Sequence, residues 1–439
     1  MRGQREGAEL DVLVVGGGAA GVPAAIQAAS MGARTMLVEK NGALGGTTTV
    51  AGVALPGLFH AWGHQVIAGI GWRLVTTAVR VAGDSLPDFS DWRLPHYKLQ
   101  VPVTAALYAG VLDAAVLQAG VDLRLHTMLG AAEPADDGWT VTLCDKEGLY
   151  TVRARRIVDC SGDADAVALA GLERLRNEQR QPGTIMVRFG GYDFDRLDIG
   201  TLDAAHERAV ASGELRAEDL SMTERPMARF LRGRGENAIH VTGIEGGTSL
   251  TRTAAEVEGR RTLTRIYEFL RRQPGLEQVR IESWAVECGI RETFTIDGHE
   301  RITVQDYVSG RLWEDAVSHS FYPIDVHQPD GDGIDIRPLE YGTVPSIPRG
   351  AMIPRGSAHL IVAGRAVAGD QEANSAYRVQ ASCMAMGQAA GANAALSASA
   401  RVPMSGVPLA SLREQLRAGG AILPGDVAIA PLASAQSHS

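Results

Sequence analysis

Residues 11–21 read Asp11-Val12-Leu13-Val14-Val15-Gly16-Gly17-Gly18-Ala19-Ala20-Gly21, an apolar run followed by spaced glycines. The apolar run predicts a buried parallel strand, and the alanine-rich residues 19–30 predict the helix after it. Gly16 permits a tight turn, Gly18 leaves the backbone open to a diphosphate, and Gly21 lets the helix pack closely on the strand. The anion is expected at the N-terminus of that helix, beside the backbone of Ala19 and Ala20.

The next strand supports a nucleotide-binding interpretation of this turn. Residues 35–38 predict a second strand, and Glu39 ends it about twenty residues after the glycines. A carboxylate there accepts the hydroxyl groups of an adenosine ribose and repels a phosphorylated ribose. The alternative is a purely structural glycine turn, but strand, helix, second strand and acid follow in the order that dinucleotide binding requires. The pattern does not distinguish FAD from NAD.

Length and charge exclude some classes of function. A chain of 439 residues is expected to form two or three domains, and its net charge of −9 argues against nucleic acid or an anionic membrane as a partner. No apolar run is long enough to span a bilayer, and no apolar signal core precedes the first strand, so the protein is predicted to be cytoplasmic. No Cys-x-x-Cys pair occurs, so neither an iron–sulfur cluster nor a redox-active disulfide is expected.

A second glycine-rich segment, residues 42–53, follows Glu39 directly and mixes glycines with threonines. Such a segment offers several hydrogen-bond donors to an extended cofactor. Here the sequence resembles FAD-dependent oxidoreductases of the glutathione-reductase-type flavin fold, in the branch of fumarate-reductase-like flavoproteins and the "FAD-dependent oxidoreductase" family. In that branch this segment runs toward the flavin, and some members link the flavin covalently through a histidine in it. Because no histidine lies between Lys40 and Leu58, non-covalent FAD is expected.

The same resemblance extends over three later segments. Residues 149–154 and 156–160 predict two successive strands, and the turn Ser161-Gly162-Asp163 after them matches a cofactor-contacting turn of the family. Ala363-Gly364-Arg365 and residues 383–391 match its Ala-Gly-Arg and Cys-Met-Ala-x-Gly-Gln-Ala-Ala-Gly segments, and the helix that begins there is expected to face the pyrimidine edge of the flavin. The predicted cofactor-binding residues are Gly16, Gly18, Ala19, Ala20, Gly21, Glu39, Lys40, Gly45, Gly46, Thr47, Thr48, Ser161, Gly162, Asp163, Gly364, Gly369, Asp370, Arg378 and Gly387.

The predicted fold class is α/β. It combines a Rossmann-like FAD-binding domain, a three-layer structure whose parallel sheet has a β-hairpin or meander crossover, with an inserted α+β substrate-capping domain. Residues 8–171 and 340–425 are assigned to the FAD-binding domain and residues 172–339 to the cap, while residues 426–439 are expected to be a disordered tail. No second Gly-x-Gly-x-x-Gly follows a strand, so an internal NAD(P)H domain is not expected.

Two cap segments carry candidate chemistry. Residues 289–293 resemble the family's Val-Arg-Glu-Ser motif, and residues 321–327 resemble its Tyr-Pro-Ile-Asp-x-His motif. Arg291 can clamp a carboxylate or polarise a carbonyl, and His327, held by Asp325 or His319, can move a proton near neutral pH, with Tyr322 as a further candidate. The alternative is that Arg291 pairs with a structural acid and the histidines only hold loops.

His60 and His64 lie in a glycine-rich segment that predicts a loop. We interpret both as polar lining of a substrate cavity, and ordinary hydrogen-bonded histidines remain the alternative. A metal pair would need a third ligand, and no acidic motif supplies one, so no metal is predicted.

Together these features predict an oxidoreductase that transfers a hydride between flavin N5 and a carbon of a small polar organic substrate. The absence of an internal NAD(P)H site implies an external electron acceptor: oxygen, a quinone or a partner protein. A flavin-dependent monooxygenase or biosynthetic tailoring enzyme remains an alternative, as do a tRNA-modifying flavoprotein and a non-catalytic flavin-fold binding protein. Acidity counts against the tRNA alternative. A homo-oligomer is left open.

Overall fold

A computed structural model provides the structure of the chain and describes residues 7–220, 225–329 and 333–429. Most of the predicted tail, residues 430–439, lies outside the described residues. The strands are β1 Glu9–Val15, β2 Thr35–Glu39, β3 His60–Ala61, β4 His64–Gln65, β5 Asp122–Leu125, β6 Met128–Ala135, β7 Gly138–Asp145, β8 Gly148–Asp159, β9 Arg174–Leu175, β10 Gly183–Gly190, β11 Gly235–Val241, β12 Arg280–Trp284, β13 Thr295–Ile296, β14 Ala316–His319, β15 Ile324–His327, β16 Ile334–Arg337, β17 Ser346–Pro348 and β18 Leu360–Val362. The α-helices are α1 Gly21–Ser30, α2 Ile70–Ala82, α3 Ala105–Gln118, α4 Asp165–Leu169, α5 Ile199–Ala211, α6 Pro226–Arg232, α7 Ser249–Arg271, α8 Val304–Val308, α9 Gln371–Tyr377, α10 Gln380–Ala400 and α11 Leu409–Ala418.

The largest sheet has the strand order β5-β2-β1-β8-β7-β6, and β18 also pairs with β8. The pairs β1 with β2, β1 with β8, β2 with β5 and β8 with β18 are all parallel. Parallel strands are buried on both faces, which explains why residues 12–15 are uniformly apolar. The predicted α/β fold with a Rossmann-like parallel sheet is confirmed.

Strand β8 differs from the sequence prediction of two successive strands, which was wrong. Its first half pairs antiparallel with β7, and its second half pairs parallel with β1 and β18, in one continuous strand. Arg156 lies in the middle of the strand with its side chain fully buried. The guanidinium donates to Ser397 Oγ over 2.5 Å and to Asp137 Oδ1 over 3.2 Å, so a charged residue is accommodated without a break.

Helix α10 packs directly on α1 through two glycines. A β-carbon at Gly387 would overlap the carbonyl oxygen of Ala20, and one at Gly391 would overlap that of Ala24. The two backbones can therefore approach only because these positions carry no side chain. Because Gly387 meets Ala20 and Gly391 meets Ala24, the two helices run in the same direction. The N-terminus of α10 therefore lies at the end of the sheet where the glycine turn precedes α1.

The buried apolar side chains form two separate clusters. The first surrounds the main sheet and includes residues from Leu10 to Val167 and from Ile296 to Leu423. The second, from Ile185 to Ile290, lies between the β11-β10-β12 sheet and helices α5, α6 and α7. None of the helices in residues 7–220, 225–329 and 333–429 combines the length with the apolar character that crossing a bilayer requires.

Candidate active site

A cavity lies where the two clusters meet. One wall consists of the carboxyl ends of β1, β2, β8 and β18, where ligands of parallel α/β sheets bind. The opposite wall comes from β10, α7, and residues 287–291, which belong to the second cluster or border it. Residues 322–327 and 375–383 complete the lining. The cavity therefore joins the glycine turn to both cap motifs.

The glycine turn has the geometry expected from its sequence. Gly16 has a φ angle of +97°, which favours glycine, and a β-carbon at Gly21 would overlap the Gly16 carbonyl oxygen. Gly16, Gly18, Ala19 and Ala20 line the cavity at the start of α1. In the described structure the N-cap residue, Ala20, makes no side-chain capping hydrogen bond. The Val22 N–H donates to the Gly18 carbonyl over 3.2 Å and Pro23 has no N–H, so an anion would meet the backbone N–H groups that precede them at the start of the helix.

Glu39 shapes this turn as well as lining the cavity. One carboxylate oxygen accepts from the Gly17 N–H over 2.7 Å, and the other accepts from the Asn41 N–H over 2.9 Å. Burial raises the pKa of Glu39 above its usual value, although the two backbone donors oppose that shift. The remaining lone pairs of the two oxygens are those that a ribose hydroxyl would use.

The turn Ser161-Gly162-Asp163 is held by the buried carboxylate of Asp159. One oxygen of Asp159 accepts from the N–H and the hydroxyl of Ser161, and the other accepts from the N–H groups of Ala166 and Val167. Burial raises the pKa of Asp159, and these four donors counteract the shift. The turn therefore has a defined shape at the cavity wall before any ligand is considered.

Asp163 connects the two clusters. Its carboxylate pairs with Arg365 over 2.6 Å and with Arg252 of α7 over 2.7 Å, and it accepts from the Thr293 hydroxyl over 2.7 Å. Burial acts to raise the pKa of Asp163, but the two guanidinium groups hold it below its ordinary value. Asp163 thus holds two cationic side chains at the cavity wall, where both Arg252 and Arg365 are among the lining residues.

In the cap motif at residues 289–293, three successive side chains make hydrogen bonds to three different residues. Arg291 lines the cavity and donates to the carbonyl of Pro182 over 2.5 Å. Glu292 accepts from the backbone N–H of Gln181 over 2.7 Å, and Thr293 reaches Asp163. Burial, together with nearby Arg378, lowers the pKa of Arg291 to about 9, so the guanidinium keeps its charge at neutral pH.

His327 and Tyr322 line the cavity beside this arginine. His327 Nε2 lies 3.6 Å from Asp325 Oδ1. Burial, reinforced by Arg291 and Arg378, lowers the pKa of His327 far below its usual range, so the imidazole is neutral at pH 7. Burial raises the pKa of Tyr322, whose hydroxyl accepts from Gln100 over 3.0 Å.

Most of the predicted cofactor-binding residues line the cavity. They are Gly16, Gly18, Ala19, Ala20, Glu39, Lys40, Gly46, Thr47, Ser161, Gly162, Asp163, Gly364 and Arg378. Six others lie behind its wall: Gly21, Gly45, Thr48, Gly369, Asp370 and Gly387.

The six residues behind the wall support it. The Gly45 N–H donates to the Gly17 carbonyl over 2.8 Å, and Thr48 donates to the side chain of Gln380 at the start of α10. Asp370 caps α9 by accepting from Ala373 over 2.8 Å, a role that its position just before a predicted helix could have indicated. Gly21 and Gly387 let α1 pack on its neighbours, and a β-carbon at Gly369 would overlap the side chain of Tyr377.

His60 and His64 do not line this cavity. They lie in the two-residue strands β3 and β4, a short hairpin instead of the predicted loop. His60 stacks on Phe89, with ring centroids 3.8 Å apart, and contacts the edge of Trp72. Burial lowers the pKa of His60 to about 4, and His64 is exposed. This placement argues against the cavity-lining interpretation. His60 Nδ1 is buried and makes no hydrogen bond among the described residues, so His60 is held by ring packing and is not the hydrogen-bonded histidine of the alternative.

Several lining residues were not singled out in the sequence. Arg365 lines the cavity and is the last residue of the Ala363-Gly364-Arg365 motif. Its cationic side chain within that motif could have indicated a role at the site. Arg252 lies inside α7 with no local motif around it, and only its pairing with Asp163 identifies it. The others include Asn41, Gln100, Asn237, Glu287, Ser375 and Gln380.

The residues present fit the expected FAD. Helices α1 and α10 both start at the cavity, and within the described residues neither Ala20 nor Val379 caps its helix through a side chain. Gly18 and Gly46 approach so closely that a β-carbon on Gly46 would lie 3.1 Å from the Gly18 α-carbon, which leaves a bare backbone groove. Two uncapped helix N-termini and such a groove suit an extended anionic cofactor with an electron-accepting ring.

Comparison with known proteins agrees with this assignment. The model of the family "FAD dependent oxidoreductase" matches residues 11–416. Nicotine dehydrogenase of Pseudomonas putida (strain DSM 28022 / S16) is 27% identical over 197 residues, which are 44% of this chain and 37% of that protein. Dihydrolipoyl dehydrogenase of Trypanosoma brucei brucei is 54% identical over 52 residues, 12% of this chain and 11% of that protein. The chain thus matches well under two thirds of either relative.

Among solved structures, a geranylgeranyl bacteriochlorophyll reductase-like protein from Thermoplasma acidophilum is similar to this chain. The alignment covers 94% of this chain and 83% of that protein's chain. The TM-score is 0.43 and the sequence identity is 13%. The family match covers most of the chain, and the cavity fits the cofactor of that family. The chain is therefore an enzyme of the FAD dependent oxidoreductase family, with FAD as its cofactor.

Proposed function

We propose that this oxidoreductase transfers a hydride between a carbon atom of a small polar organic substrate and flavin N5, and that an external acceptor completes the redox cycle. When bound, FAD supplies the hydride chemistry, while the chain binds, orients and deprotonates the substrate. One observation carries the proposal: a single cavity joins the glycine turn to Arg291, Tyr322 and His327. A cofactor and a substrate can therefore meet within one cavity.

Arg291 is proposed to hold the polar head of the substrate. Its Nη1 donation to Pro182 over 2.5 Å fixes the plane of the guanidinium, and its charge at neutral pH gives it a preference for an oxygen that carries negative charge. Tyr322 keeps its proton because burial raises its pKa, so its hydroxyl can donate to a substrate oxygen.

The pair of His327 and Asp325 is proposed to take up the substrate proton. The imidazole is neutral at rest, and the Asp325 carboxylate, 3.6 Å from Nε2, would stabilise the imidazolium formed when the proton arrives. Desolvation around His327 opposes that charge, so the carboxylate is essential to this role.

We also propose that residues 8–171 and 340–425 form the FAD-binding domain, that residues 172–339 cap it, and that FAD is held non-covalently. The second cluster of buried side chains, from Ile185 to Ile290, supports a separately packed cap over that part of the range. Buried side chains from Ile296 to Leu339 pack with the main-sheet cluster instead. Acid precipitation should release all of the FAD into the supernatant. Yellow colour retained in the pellet would mean a covalent link.

Anaerobic mixing with hydroxy acids, polyols and amines tests the reaction itself. The flavin absorbance should bleach with at least one class, and stopped-flow measurement should then separate the proposed roles. Arg291→Lys keeps the charge and loses the planar fork, so turnover should fall with the flavin content intact. His327→Gln should slow flavin reduction by ~10²–10⁴-fold and leave substrate binding mostly in place. Wild-type rates in both variants would mean that these residues are structural.

A further inference from the structure

Arg291 and Arg378 are two cations without an acid at ion-pair distance in the described part of the chain. Arg378 Nη1 is buried and makes no hydrogen bond there. Burial lowers the pKa of both groups, and Arg378 further lowers the pKa of Arg291. Asp325 and, for Arg378, Glu292 oppose these shifts from a longer distance. Two buried cations with no carboxylate at ion-pair distance among the described residues would gain from an anionic ligand, because a buried charge without a close partner is costly.

The complementary feature is an acceptor that lacks a donor. Asp325 Oδ1 is buried and, among the described residues, receives no hydrogen bond. Its neighbour His327 is neutral, and their separation of 3.6 Å is too long for a hydrogen bond. Asp325 and Arg378 line the same part of the cavity, since Arg378 Nη2 lies 3.5 Å from the Asp325 carbonyl oxygen.

The two guanidinium groups are positioned by consecutive residues. The side-chain carbonyl of Gln181 accepts from Arg378 Nη2 over 3.0 Å, and the backbone carbonyl of Pro182 accepts from Arg291 Nη1 over 2.5 Å. Gln181 also accepts from the backbone N–H of His327 over 3.1 Å. The arginines are therefore fixed before any ligand arrives, which reduces the entropy lost on binding.

From these contacts we infer that the substrate is a carboxylic acid with an O–H or N–H group on the carbon next to the carboxylate. Arg378 and Arg291 bind the carboxylate, and Asp325 accepts the hydrogen bond of the neighbouring hydroxyl or amino group. A polyol or a simple amine would leave both cations unpaired, and a plain carboxylic acid would leave Asp325 without a donor. The inference rests on the proposed function and narrows its substrate class.

Binding of compounds that lack a hydrogen on the α-carbon tests this recognition without turnover. The ligands are 2-hydroxy-2-methylpropanoate and 2-amino-2-methylpropanoate, with 2,2-dimethylpropanoate lacking the donor and 2-methylpropane-1,2-diol lacking the carboxylate. Because the primary carbon of the diol carries hydrogens, flavin absorbance is recorded during its titration. Calorimetric titration of the oxidised holoenzyme should show binding of the hydroxy or the amino acid. Each truncated analogue should bind ~10- to 100-fold more weakly, the usual effect of losing a charged hydrogen bond. The stronger of the first two ligands identifies the donor.

Variants assign the two contacts. Arg378→Gln should weaken all carboxylates by roughly 10- to 100-fold, whereas Asp325→Asn should weaken only the hydroxy or amino acid by a similar factor. Arg337→Gln removes an arginine from the neighbouring strand β16, where it pairs with Glu372 outside the cavity, and should change neither affinity. Melting temperature checks folding, and affinities are compared at matched FAD content because Arg378 is also predicted to bind the cofactor. Arg378→Lys and Asp325→Ser replace any variant that fails to fold.

Equal binding of the diol and the hydroxy acid, or unchanged affinities in both Arg378 and Asp325 variants, would overturn the inference. Flavin bleaching by carboxylate-free substrates at comparable rates would overturn it while leaving the proposed function intact. Selective binding without flavin bleaching by any α-hydroxy or α-amino acid would be the opposite result. It would support the inferred recognition of the substrate and contradict the proposed hydride transfer.

Discussion

The carboxylates at the two ends of the cavity are satisfied in different ways. At the glycine-turn end, both carboxylate oxygens of Glu39, Asp159 and Asp163 accept hydrogen bonds from the chain itself. At the cap end, Asp325 Oδ1, His327 Nδ1 and Arg378 Nη1 have no partner among the described residues. The carboxylates at the glycine-turn end fix the shape of a backbone surface, which can bind a ligand through N–H groups. The side chains at the cap end keep unused hydrogen-bonding atoms, which can bind a ligand directly.

Asp163 belongs to the first end but holds residues of both clusters, so Asp163→Asn should have the largest effect. Breaking a fully buried ion pair costs about 3–5 kcal/mol, and the cost here should be lower because the Asp163 side chain is 13% exposed and each arginine 20%. Without the carboxylate, Arg252 and Arg365 would face each other. We expect a lower urea midpoint of unfolding and poor FAD retention. Thr293→Val, which removes one hydrogen bond to the same carboxylate, should cost only about 1 kcal/mol. Equal midpoints for the two variants would argue against a charge-based connection.

Glu39→Gln tests whether the first end needs its negative charge. The substitution places an NH₂ group against the N–H of Gly17 or Asn41 and removes a charged acceptor for the ribose. FAD affinity should fall by roughly one to two decades, as expected for a hydrogen bond of about 1.5–3 kcal/mol. Fluorescence titration of the apoprotein measures it. Arg34→Gln, which removes an exposed ion pair with Asp11 outside the cavity, is the control. Unchanged affinity would mean that the ribose is held elsewhere.

Gly387→Ala and Gly391→Ala separate packing from cofactor binding. Both add a β-carbon where α10 contacts α1, and overpacking of this kind costs about 1–3 kcal/mol. Melting temperatures should therefore fall in both variants. Only Gly387→Ala displaces Ala20, which lines the cavity, so only this variant should lose FAD on gel filtration. Equal FAD loss in both would show that general destabilisation is the cause.

His60→Phe should have the smallest effect on activity, because His60 lies in an aromatic cluster outside the cavity. Flavin reduction should stay within about twofold of the wild type. The lowered pKa, about 4, means that the unfolded chain binds a proton more readily than the folded chain. The free energy of unfolding of the wild type should thus decrease as the pH falls from about 6.5 to 4. The decrease should be smaller in the variant, which lacks this imidazole. Thermal melts across that range measure the difference.

The glycine-turn end was predictable because its signals are local. Residues 9–39 contain the strand, the turn, the helix, the second strand and Glu39, and each follows from spacing and residue type within a short window. The resemblance added Ser161, Gly162, Asp163 and Gly364, which line the cavity. It also pointed to Arg291, Tyr322 and His327, which share the cavity although their roles stay predictions.

The cap end depends on contacts between residues far apart in sequence. Arg252 pairs with Asp163 across 89 positions, and Arg378 meets Gln181 across 197. Periodicity and spacing describe neighbours along one strand or helix, so they carry no information about such pairs. The protonation state of a buried group also depends on everything packed around it. The neutral state of His327 and the Arg378 Nη1 that makes no hydrogen bond among the described residues therefore follow only from the folded chain.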